Sequence, residues 1–170
     1  MNRKSLVVFA LGSAGLLCSA FANAATTATA NLDVTLTVES SCILAVDPLD
    51  FGTHAIGDTN IEGQTNASVT CTAGTPYILT SDSAHTYELT NASGTAGTNT
   101  AAYVLYLDNA GSQPLAQQLP SDSEVSASAS TGTGAAQVIP IYGKIRNAAL
   151  SNVAAGTYTD TVTLQVTWLC

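Results

Sequence analysis

The chain has 170 residues, with 12 Asp and Glu against four Lys and Arg, a formal charge of −8 and only 9% charged residues. Thr, Ser, Ala and Gly dominate, a composition suited to pleated sheet and turns rather than to amphipathic surface helices, which draw on Glu, Lys and Arg. Clustered cations, which phosphate binding requires, are missing, so nucleic acid is excluded as a partner.

The first element is a targeting signal. Arg3 and Lys4 precede an apolar run from Leu6 to about Cys18, which ends in Phe21-Ala22-Asn23-Ala24. A charged head, a short apolar middle and an A-x-A ending define a secretory signal peptide, and the run is shorter than the roughly 18 to 20 residues that span a bilayer. The spacing predicts cleavage after residue 24 and one compact domain over residues 25–170. All 12 acidic residues follow that cut, leaving Lys144 and Arg146 as the only cations of the mature chain, two against 12. Such a charge keeps a secreted chain soluble.

Alternation begins at once in the mature chain. Leu32, Val34, Leu36 and Val38 point one way and Asp33, Thr35, Thr37 and Glu39 the other, which predicts a half-buried strand. Further short strands are expected at about 67–71, 77–81, 87–90, 102–107 and 137–142. The last covers 159–168, where Val162, Leu164, Val166 and Trp168 share a face. Asp47-Pro48, Gly57-Asp58, Gly74-Thr75-Pro76 and Ala155-Gly156 mark turns. Regularly spaced strands without a convincing helix predict an all-β sandwich. Pro140 is expected at an edge or a bulge, because proline cannot donate to a ladder. Residues 121–134, nearly all Ser, Ala, Thr and Gly, read as a mobile surface loop.

Cys42, Cys71 and Cys170 survive processing. In an oxidising compartment Cys42 and Cys71, at the ends of two predicted strands, are a natural pair. Cys170 is left as a free thiol, an intermolecular link or a competitor for either partner.

No residue pattern points to chemistry. His54 and His85 stand alone, without a second His or Cys at metal-ligand spacing, so neither a zinc site nor a cofactor is expected. A nucleophilic serine has no G-x-S-x-G setting and no base held by an acid. Asp47 and Asp50 read as turn residues rather than a carboxylate pair. Tyr103, Tyr106, Tyr142 and Trp168 read as core or interface anchors rather than a sugar platform. The chain is not expected to be an enzyme.

In order along the chain stand an alternating strand ending at Cys42, then Leu49-Asp50-Phe51-Gly52, Val69-Thr70-Cys71-Thr72-Ala73-Gly74-Thr75-Pro76-Tyr77, Tyr103-Val104-Leu105-Tyr106-Leu107-Asp108, Ile139-Pro140-Ile141-Tyr142-Gly143-Lys144-Ile145 and Ala155-Gly156-Thr157-Tyr158-Thr159-Asp160-Thr161-Val162. These six stretches resemble the spore coat protein U domain family, which includes the subunits of archaic, Csu-type chaperone-usher pili. Asn147-Ala148-Ala149 departs from the proline-containing turn of that pattern, and Leu169-Cys170 extend past the aromatic at which it tends to stop.

The resemblance implies an incomplete immunoglobulin-like pilin sandwich that lacks its last strand and is completed by donor-strand exchange. It implies that Leu32, Val34 and Leu36 insert into a neighbouring subunit, whose Val162, Leu164, Val166 and Trp168 line the acceptor groove. The implied partners are neighbouring pilin subunits in a homopolymer or co-polymer, a periplasmic chaperone and an outer-membrane usher. The implied destination, through the periplasm, is a cell-surface fimbrium used in adhesion and biofilm formation. A soluble spore or cell coat protein, or a minor or tip adhesin, are the competing expectations; in the bland alternative, Leu32 to Val38 pair within their own subunit.

Overall fold

A computed structural model describes residues 25–169, apart from 83, 94–98, 118–119, 122, 126–129 and 147–148. The signal peptide expected over 1–24 and Cys170 lie outside the described residues, as does most of the Asn147-Ala148-Ala149 departure. The chain divides between Leu36 and Thr37. In the first part, residues 25–36 form no helix or strand and are exposed throughout.

Among the described residues the second part carries eight strands: β1 (Cys42–Val46), β2 (Glu62–Cys71), β3 (Pro76–Ser81), β4 (Glu88–Thr90), β5 (Thr100–Tyr106), β6 (Ser130–Thr131), β7 (Ala136–Ile145) and β8 (Leu164–Trp168). They form a five-stranded sheet ordered β1-β2-β7-β5-β4 and a three-stranded sheet ordered β6-β3-β8, with every pairing antiparallel. The expected all-β class holds, with one short helical turn at 123–125. Period-two patterning explains which face is dry: in β2 Thr65, Ala67, Val69 and Cys71 are buried, and in β5 Ala101, Tyr103 and Leu105. One buried cluster gathers Ala67, Leu79, Tyr103, Leu105 and Ile141; a second gathers Val69, Cys71 and Tyr77.

Four expectations are corrected. No strand forms over 32–39, where Leu32, Val34, Leu36 and Val38 are 70–87% exposed; alternation shows that a segment fits a pleated surface but does not supply the surface. The first strand is instead β1, which the alternation does not single out because Ile43 faces water and Ala45 is small. Within 121–134, Ser130–Thr131 form β6 on β3 and Val125 is fully buried. Gly132 lies so close to Thr72 that a Cβ would collide with its carbonyl oxygen. Finally, the last strand begins at Leu164, five residues later than expected, since Thr159 leaves to bridge Thr90. Pro140 lies in β7, inside the sheet order, but there the strand pairs with β2 alone; the ladder to β5 starts at Tyr142. It occupies a local edge, where a missing N–H is tolerated.

An open trough between the sheets

The site is a gap along one side of the sandwich. Among the described residues β8 pairs with β3 on one side and has no strand on the other, and β1 likewise has β2 as its single neighbour. In a closed sandwich the inward residues of such strands are dry. Here all five residues of β8 are only half-buried, as are Val162 on its approach and Cys42 and Leu44 on β1. Val162 and Leu164 pack on the larger cluster, and Val166 and Trp168 on the smaller one. The two edges approach within 8 Å between Cα atoms and are not paired.

Beyond β1 and β8 the gap widens into two adjoining cavities of about 270 and 940 Å³. Leu49, Phe51, Leu89 and Asp160 line both. The smaller one reaches the core residues Tyr103, Leu105 and Ile141 on its floor, with Val162 and Leu164 on its wall. An apolar trough therefore opens beside β8, with half-buried Val162 and Leu164 on its wall above a floor whose residues are themselves buried, and a partly covered apolar lining of this kind favours association.

Two local devices shape it. The first is the strap between β1 and β2. Leu49 and Phe51 drop onto a bare patch of the inner sheet face left by Gly63 and Gly143, and Phe51 meets Tyr103 edge-on at 5.9 Å. His54 Nε2 donates to the Phe51 carbonyl at 2.6 Å, and Asp58 accepts the Ala55 N–H at 2.9 Å. That N–H, against slight desolvation and helped by His54, holds the Asp58 carboxyl below its ordinary range.

The second device is a polar node in the trough wall. Asp160 Oδ2 accepts from the Tyr103 hydroxyl at 2.6 Å and lies 2.7 Å from His85 Nε2, while Oδ1 accepts the Thr161 N–H at 2.7 Å. Burial alone would raise the Asp160 pKa, but the hydrogen bonds from Tyr103, His85 and Thr161 outweigh it and hold the carboxyl below its ordinary range. Burial, and then donation to the carboxylate, push the Tyr103 phenol far up, so it stays a proton donor rather than becoming a nucleophile. Burial likewise raises Tyr87, whose hydroxyl bonds Ser81. The node pins the 159–164 wall to β5 and to the 82–87 turn. Its arrangement is structural, and among the described residues no three His, Cys, Asp or Glu side chains converge as a metal site would require.

The residues expected from the sequence divide into three groups. Cys42 and Cys71 are bonded, opposite each other in the β1–β2 register. Val162, Leu164, Val166 and Trp168 lie along one side of the gap, the first two at its wide end. Leu32, Val34 and Leu36 are exposed, without a strand of their own. Leu89 and the joining of Asp160 with His85 and Tyr103 were missed, whereas Tyr103 itself was read as a core or interface anchor and Ile141 lay in an expected strand. His85 and Asp160 are 75 positions apart, and nothing local in the sequence joins them. Leu49 and Phe51 had a signal, the Leu-Asp-Phe-Gly stretch.

Residues 28–165 match the family described as Spore Coat Protein U domain. The chain belongs to that family. Among curated proteins, none matches it in sequence. Among solved structures it is similar to a chain in the CsuC-CsuE chaperone-tip adhesion subunit pre-assembly complex from archaic chaperone-usher Csu pili of Acinetobacter baumannii. The TM-score is 0.52 at 19% identity, over 76% of this chain and 40% of that one. At that identity the likeness speaks for the fold, and this chain spans less than half the length of the other.

Proposed function

We propose that the protein is a structural subunit of a secreted chaperone-usher fibre, assembled by insertion of residues from the 25–38 segment of one copy into the trough of the next, and serving attachment and biofilm growth. One observation carries this reading: the same chain has an apolar trough beside an unpaired strand edge, and an apolar alternating segment without a strand partner. Each supplies what the other lacks, main-chain pairing for the edge of β8 and burial for Leu32, Val34 and Leu36. Burying those three side chains contributes about 4–9 kcal/mol before the costs of association. A head-to-tail contact of this kind does not close on itself, so it yields a fibre. A chaperone that holds the trough before assembly, and an usher that exchanges it for the neighbour's segment, are the partners such a subunit requires.

The test compares the 25–170 chain with the same chain carrying a second copy of residues 25–38 after Cys170 on a flexible linker. The extended protein is expected to be monomeric and to melt well above the parent. Equal melting temperatures would overturn the reading.

A further inference from the structure

At the narrow end of the trough two buried polar atoms have no hydrogen-bond partner among the described residues: Gln137 Oε1 and Trp168 Nε1. They belong to opposite sheets and flank one cluster, since Gln137 stands opposite Val69 in the β2–β7 register and Trp168 opposite Tyr77 in the β3–β8 register. An unpaired buried polar group is costly, so it marks a position where a partner is expected. One atom only accepts and the other only donates. A hydroxyl satisfies both, donating to Gln137 and accepting from Trp168.

We infer that Gln137 and Trp168 form a hydroxyl-reading subsite that sets the register of the inserted strand, and that Thr26 fills it. This rests on the fibre-subunit reading above. One face of the segment runs Thr26, Ala28, Ala30, Leu32, Val34, Leu36. Its bulk increases along the chain. The trough widens in one direction too: both cavities lie at the Val162 and Leu164 end, whereas Val166 and Trp168 line neither and β1 approaches β8 within 8 Å. Matching bulk to width places Leu32, Val34 and Leu36 at the cavities from Val162 outward and the two alanines beside Leu164 and Val166. Thr26 is then the hydroxyl that arrives at Gln137 and Trp168. A two-residue slip presents Ala28 there instead and leaves both polar atoms unpaired.

The test measures binding of a synthetic 25–38 peptide to the full chain and to its Trp168→Phe and Gln137→Met variants, each first shown to melt cooperatively. With the unaltered chain, replacing Thr26 by Val, equal in shape but without the hydroxyl, is expected to weaken the peptide about five- to tenfold. With either variant the same replacement is expected to cost less than about twofold. An unchanged affinity for the Thr26→Val peptide, or the same loss on all three proteins, overturns the subsite and leaves the fibre-subunit reading intact. Failure of the unaltered peptide to bind overturns both.

Discussion

Gly63 and Gly143 stand directly opposite each other in the β2–β7 ladder, and together they leave the bare patch on which Leu49 and Phe51 rest. A Cβ on Gly143 would come within 2.7 Å of the Phe51 ring and 3.0 Å of Leu49, and one on Gly63 within 2.9 Å of the Asp50 carbonyl oxygen. Gly143→Ala is therefore expected to lift Phe51 off the sheet and to destabilise the fold by about 1–3 kcal/mol, the usual cost of overpacking. Urea unfolding of the two proteins checks it. An unchanged midpoint would mean that the strap yields freely.

Reduction removes the Cys42–Cys71 link, whose residues are 29 positions apart. Closing a loop of that size stabilises by about 3–4 kcal/mol in the chain-entropy description. Cys42→Ser with Cys71→Ser is expected to lower stability by that order, read as a drop in melting temperature that added reductant does not deepen.

Acid acts on the node. Because the Asp160 pKa is lowered on folding, its contribution is fully present above the unfolded value of about 3.9 and is lost as pH falls through the folded value. Asp160→Asn is expected to be less stable than the parent at neutral pH and to show a flatter decline below about pH 4. Parallel acid-unfolding curves for the two proteins would show that the node contributes nothing to acid sensitivity.

Leu32, Val34 and Leu36 are 82–87% exposed. Leu32→Asp with Val34→Asp is expected to leave the subunit's melting temperature unchanged and to abolish multimers on denaturing gels run without heating. A falling melting temperature would assign the segment to its own subunit's core.

The sheet-forming stretches were readable because period-two burial is written locally: 67–71, 77–81 and 102–107 each fall largely within an observed strand. The segment 32–38 carries the same pattern, yet alternation cannot say whose sheet a strand joins. β6 was hidden in a run of small residues because two ladder pairs and the close approach of Gly132 to Thr72 hold it in place, rather than side-chain bulk. The Cys42–Cys71 bond was legible from spacing and compartment. Asp160, His85 and Tyr103 were not, since their association depends on three distant stretches meeting.

Cys42 begins β1, directly after the segment that a neighbour would hold, and its sulfur is bonded to the final residue of β2. Tension drawn through residues 37–41 thus enters the domain at a covalent rivet rather than at an edge strand held by amide hydrogen bonds alone. Those bonds, loaded singly from one end, would part in sequence like a zipper. The sulfur bridge passes the pull straight to β2, which lies inside the larger sheet with β7 beyond it, so the force is shared across several strands at once.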